Sequence, residues 1–166
     1  MKTTSFSFLE NITLALAIFT TAIMAGFFYT YTFNVNLAMM QVDGETYARV
    51  QSLFNENVRH WMFFIFFFGA GATGVLAILA NWRKFKSISF WLIVAGAIIY
   101  IFGIIAYTAG VNLPLNAYTE SWNPLALPAD WEATREAWNQ ANAIRVGTSG
   151  SSFVLYLVAL VMRASD

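Results

Sequence analysis

The sequence predicts an all-α integral membrane protein: a four-helix bundle with two extracytoplasmic loops and an extended last helix. Three observations predict it. Only 11% of the 166 residues are charged and 58% are apolar, against about 25% charged in an ordinary soluble domain. Four uncharged stretches, Asn11–Gln41, Trp61–Trp82, Ser87–Thr119 and Val146–Met162, can each supply the roughly 17–25 residues that cross a hydrocarbon core as a helix. No stretch alternates apolar and polar residues as barrel strands do, and helices satisfy their own backbone hydrogen bonds in lipid. Residues 1–166 read as a single four-span domain, without linker, low-complexity segment or internal repeat.

The first span is too long for a signal core, and no small-x-small cleavage site follows it, so it reads as a retained anchor. The first loop, about residues 41–60, is polar and suits a helix through "ETYARVQSLFNENVRHW". Span two carries "GAGATG" at 69–74, a close-approach surface. In span three Gly96, Gly103 and Gly110 recur every seven residues, which predicts one face for a close left-handed crossing. Tyr100 and Tyr107 interleave at the same period, and their hydroxyls need partners if they point inward.

The second loop, residues 112–130, holds all three prolines, Pro114, Pro124 and Pro128, and is expected to be irregular but compact. The last helix is expected to start near Trp131, with Asp130 as N-cap and Glu132 in the positive first turn. To Arg163 it would measure about 50 Å, more than the roughly 30 Å hydrocarbon core, so its front should project outside. Along it Trp131, Arg135, Trp138, Asn142, Arg145, Ser149 and Ser152 succeed one another at steps of four and three and share one face. A polar, aromatic stripe of this kind should look into the protein.

Charge placement bears on orientation. Arg83, Lys84 and Lys86 fill the short link between spans two and three, and an even span count puts Lys2 and Arg163 on that side too. The other side has Arg49, Arg59, Arg135 and Arg145 among seven acidic residues. Counting Lys and Arg alone, five against four with a dense link places both termini in the cytoplasm, in a bacterial inner membrane. The absence of cysteine excludes a disulfide framework, thiolate metal sites and paired-cysteine redox chemistry. His60, the one histidine, cannot by itself hold a haem pair or a His-rich metal centre. No phosphate-cradling loop or basic nucleic-acid patch is present.

Arg145 stands out among the polar residues, because a cation at a span edge costs up to about 2.5–3.5 kcal/mol and marks a functional or paired position. Snorkelling to headgroups or an ion pair with an acidic loop residue is the plainer reading. Asn34, Asn36, Asn55, Asn112, Asn116 and Asn142 all fall in the outer half with it, and amides both donate and accept without charge. They could cap loops or hydrogen-bond a carbonyl or phenol. His60 could act as a general base, or sit with Arg59 and Trp61 at the membrane interface.

"MAGFFYTYT", "VQSLFNENV", "NLPLNAYTESWNP" and the Trp131, Trp138, Asn142, Arg145 helix occur in an order that resembles the anthrone-oxygenase-like family of small four-span membrane proteins. The resemblance implies oxidation of a hydrophobic phenolic or anthrone-like substrate by molecular oxygen, with no dedicated metal or flavin. It implies that Asn55, Asn112, Asn116, Trp138, Asn142 and Arg145 hold the substrate, with Arg145 and the amides stabilising its anion. Tyr107, Tyr100 or His60 would manage the proton. Where the family pattern opens span two with Asn-Pro, this chain has His60-Trp61. Two other readings stay open. One is a non-catalytic subunit packing through its glycine faces into a larger assembly or homo-oligomer; the other is a binder or carrier of a quinone- or lipid-like molecule. Membrane lipid is the expected surrounding in each case.

Overall fold

A computed structural model describes residues 5–165; Lys2, counted above for orientation, lies outside them. Five helices and no strands make up these residues. Helix α1 spans Phe8–Met39, α3 Trp61–Lys84 and α4 Ile88–Glu120. Helix α2 covers Gly44–Asn57 and α5 runs Trp131–Ser165. Four of them are long and apolar enough to cross a membrane. Helix α1 packs on α3 and α5, and α4 packs on the same two, so the spans form a ring in the order α1, α3, α4, α5. All four neighbouring pairs are therefore antiparallel. Large apolar side chains such as Phe102, 67% exposed, cover the outside, a surface suited to lipid and not to water.

Local chemistry sets where each helix starts. Ser7 and Glu10 form a capping box on α1. The Asp43 carboxylate accepts from the Thr46 N–H at 2.9 Å to open α2, and Ser87 Oγ accepts from the Phe90 N–H to open α4. Asp130 precedes α5 as expected, its carbonyl accepting from the Thr134 N–H. Its carboxylate, however, accepts from the Tyr118 hydroxyl at 2.9 Å, so it ties α4 to α5 as well as standing at the helix start.

The second loop departs from the expectation. Helix α4 continues through Pro114 to Glu120, so Asn112 and Asn116 are helical and only residues 121–130 are irregular. The reason lies just upstream, where Thr108–Asn112 is a wide π turn in which the Leu113 N–H reaches back five residues to the Thr108 carbonyl. Such a turn makes room for the proline ring, which lacks an N–H and would otherwise clash with the preceding turn. Ile101–Ala106 is wide as well. Each extra residue rotates the remainder of the helix about its axis, which breaks the seven-residue glycine period. A β-carbon at Gly96 would lie 2.7 Å from the Tyr156 ring and one at Gly103 2.7 Å from Thr148, but Gly110 faces open space. The close crossing with α5 is thus real for two glycines, and the third has turned away.

Helix–helix bonds reinforce these contacts. Tyr100, fully buried, donates its hydroxyl to the Phe67 carbonyl at 3.0 Å. Ser152 donates to the Gly96 carbonyl at 2.8 Å, and the Thr20 and Thr73 hydroxyls meet at 2.9 Å. At the end away from α2, Arg163 gathers acceptors from α1, α3 and α4. The opposite end is roofed by α2 and residues 121–130 around Met39, Tyr47, Ala48 and Trp122.

Candidate functional site

The polar stripe on α5 faces inward, as its spacing requires. Arg135, Trp138, Asn142, Arg145, Ser149 and Ser152 are all buried. Beneath the α2 roof the stripe borders a cavity of about 330 Å³, within the range of small-molecule sites. One wall is aromatic, with Phe27 of α1, Phe54 of α2 and Phe63, Phe64, Phe67 and Phe68 of α3. The polar wall comes from α4 and α5 together with Tyr31, Asn55 and Arg59.

Arg145 is 8% exposed and does not snorkel. Among the described residues it makes no ion pair; the two salt bridges are Arg49–Glu45 and Arg59–Glu120. Its Nη2 donates to Asn142 Oδ1 at 2.5 Å, and its guanidinium lies 4.6 Å from the Phe28 ring centre and 5.8 Å from that of Trp138. Nε has no partner. A guanidinium carries five N–H donors, and one hydrogen bond to protein leaves most of them for something else. Asn142 is oriented for this task by α1, donating to Thr32 Oγ1 at 2.6 Å and towards the Phe28 carbonyl at 3.5 Å. Thr32 belongs to a wide turn, Tyr31–Val35, of the kind often found at functional sites.

Asn116 accepts from Trp138 Nε1 at 2.7 Å, so the indole fixes the amide and leaves its Nδ2 without a hydrogen bond among the described residues. Asn55 receives a hydrogen bond from Gln51 and donates to Thr119 Oγ1; it borders the cavity while joining α2 to α4. Asn112 is fully buried, and neither side-chain polar atom has a partner. It lies one turn from both Thr108 and Asn116, which border the cavity, but is not itself in the wall. The structure thus brings Asn55, Asn116, Trp138, Asn142 and Arg145 to one cavity.

The other candidates lie apart. His60 is exposed at the start of α3, where Nδ1 accepts from the Phe63 N–H at 3.3 Å as an N-cap. Tyr107 is half-buried and outside the wall. Tyr100 is committed to Phe67. Asn34 is exposed, and Asn36 is buried outside the cavity. Among the described residues no three His, Cys, Asp or Glu side chains group as a metal site.

Three polar wall residues were not among the sequence candidates. Tyr31 and Thr108 each have a buried hydroxyl with no protein partner, and Arg59 pairs with Glu120 at the rim. Phe63, Phe64, Phe67 and Phe68 of "WMFFIFFFG" are wall residues as well, and none of them stands out in the sequence. Only the i, i+4 spacing of Phe27 with Tyr31 and of Phe63 with Phe67 hinted at a shared inner wall.

Comparison with known proteins gives the family of the chain. No curated protein and no solved structure matches the chain. A family model described as anthrone oxygenase matches residues 60–155, more than half of the chain, from the start of α3 through most of α5; α1 and α2 lie outside it. With its four membrane-type helices and a matched segment that carries Asn112, Asn116, Trp138, Asn142 and Arg145, the chain belongs to the anthrone oxygenase family.

Proposed function

We propose that this protein oxidises a hydrophobic phenolic or anthrone-like substrate with molecular oxygen in the cavity between Arg145 and the phenylalanine wall. The observation that carries this reading is the buried Arg145 guanidinium, with no acidic partner among the described residues and one hydrogen bond to protein. A buried cation without acceptors is costly by several kcal/mol. A ligand oxygen carrying negative charge relieves that cost, and Phe27, Phe63 and Phe67 offer its rings an apolar bed.

The chemistry builds on that pairing. In an anthrone, loss of a proton from the ring CH₂ moves negative charge onto the opposite carbonyl oxygen. Arg145 and the free Asn116 Nδ2 stabilise that oxyanion more strongly than the neutral carbonyl, which lowers the barrier. The electron-rich carbon adds O₂ to give a hydroperoxide, and loss of water leaves a second carbonyl. CH₂ plus O₂ becomes C=O plus H₂O, and no outside reductant is needed. Tyr31, whose buried hydroxyl has no protein partner and shares the cavity wall with Arg145, takes the proton-relay role, with Tyr107 outside the wall and His60 at the start of α3 as the other candidates. The dense Arg83–Lys86 link supports an orientation with both termini cytoplasmic and the cavity at the outer face of a bacterial inner membrane.

The test is anthrone oxidation in proteoliposomes, monitored by oxygen uptake and quinone absorbance above the uncatalysed rate. Arg145→Ala should lose about 10²–10³-fold in kcat with purified yield within about twofold of wild type. Wild-type protein no faster than empty liposomes would overturn the proposal. Anthrone retained without turnover would point instead to a carrier of quinone-like molecules, and collapse of the Arg145→Ala yield to a structural role.

A further inference from the structure

A second cavity, of about 490 Å³, lies beside the first, between α1 and the end of α2. Phe27, Tyr31, Phe54 and Val58 border both. The rings of Tyr31 and Phe54 meet edge-on at 5.6 Å, and Phe27 lies 6.3 Å from Tyr31, so a partition one aromatic ring thick separates the two spaces. Its far side is formed by Gly26, Thr30, Asn57 and His60, and both Gly26 and Thr30 are exposed.

The surroundings of this outer space are apolar. Leu53, Phe54 and Phe64 are exposed near it, and Trp61, beside His60, is 68% exposed. Exposed apolar side chains of this density need lipid over them, and the adjoining His and Trp suit the level where hydrocarbon meets headgroups. Tyr31 belongs to the wide turn Tyr31–Val35, and a wide turn interrupts the regular α-helical hydrogen-bond ladder beside it.

We propose that this outer cavity is a lateral portal, through which a planar apolar substrate passes between the bilayer and the Arg145 site, with Tyr31, Phe27 and Phe54 as its gate. The occupant is the family's own class of substrate, so the inference rests on the function proposed above. A molecule soluble in the bilayer reaches the site without crossing the polar roof of α2. Its oxygen meets Arg145 only after the rings have passed the partition.

Two measurements test the portal, and one needs no substrate. The chain has no cysteine, so Thr30→Cys in proteoliposomes carries a single thiol. A bilayer-dissolved pyrene maleimide should label it at least tenfold faster, relative to glutathione in solution, than a sulfonated water-soluble maleimide. Faster labelling by the charged reagent overturns the lateral opening. The second measurement uses Gly26→Phe, since a β-carbon there meets no atom within 4 Å and the ring would occupy the outer cavity. Anthrone delivered from vesicles should bind and leave this variant at least tenfold more slowly, with Kd within about twofold, because a blocked path changes rates and not the bound state. Unchanged rates overturn the portal. Anthrone that binds but is not oxidised defeats the oxygenase reading alone, and wild-type protein that binds no anthrone defeats both.

Discussion

Replacing Arg163 by leucine removes the knot that joins the four spans at the end opposite the cavity. Its Nε donates to Ser89 Oγ at 3.0 Å, Nη1 to the Glu10 carbonyl at 2.9 Å and to Asn11 Oδ1 at 2.7 Å, and Nη2 to Asn81 Oδ1 at 2.7 Å. The guanidinium also lies 4.4 Å from the Phe6 ring centre. An interhelical hydrogen bond in a bilayer contributes about 0.6 kcal/mol on average and up to about 1.7. Four partly redundant bonds therefore come to about 2–4 kcal/mol. Asn81 is fully buried and would lose a charged donor that leucine cannot replace, which favours the upper half of that range. In detergent, at about 2–4 °C per kcal/mol for a chain of this size, Arg163→Leu should lower Tm by about 5–15 °C. Arg163→Lys, a compact charge with three donors, should recover part of the loss. Anthrone turnover per folded molecule should stay within about twofold, because the knot does not touch the cavity. A Tm within 2 °C of wild type for the leucine variant would refute the accounting.

The helix crossing, the roof and the charged link each carry a further expectation. Gly103→Leu drives a side chain into Thr148 and should cost about 1–3 kcal/mol in detergent unfolding, whereas Gly110→Ala, facing open space, should be neutral or stabilise by up to about 1 kcal/mol; equal losses at both positions would contradict the crossing. Burial pushes the Tyr47 phenol up to about 12, against a smaller opposing pull from Arg135, from an unfolded value near 10. The folded state thus prefers the neutral phenol, so this stability is complete below pH 10 and is lost as pH rises from 10 through 12; Tyr47→Phe, which removes a hydroxyl without a partner, should flatten alkaline unfolding over that window. For orientation, an impermeant maleimide on intact cells should label Ser121→Cys and spare Lys86→Cys, and the reverse pattern would invert the topology.

Composition alone determined the class of this protein. Four uncharged runs leave the backbone no stable option in lipid but helices, and the four-three spacing from Trp131 to Ser152 turns a polar stripe inward whatever it packs against. Both are local properties, fixed by hydrophobicity and helical period. The ring order of the spans, the cavity and the fate of individual side chains are not local. The two wide turns in α4 interrupt the heptad, so Gly110 leaves the face that Gly96 and Gly103 share, and Pro114 sits inside a helix where the sequence read a loop. Nothing in the residue spacing announces such a turn, because packing against neighbouring helices decides where an extra residue is accommodated. For the same reason Arg145 looked equally suited to headgroups, an acidic loop or a ligand. Tertiary packing set Phe28 of α1 beside the guanidinium and left it without an ion pair among the described residues, whereas its hydrogen-bond partner Asn142 and the neighbouring Trp138 come from the same helix.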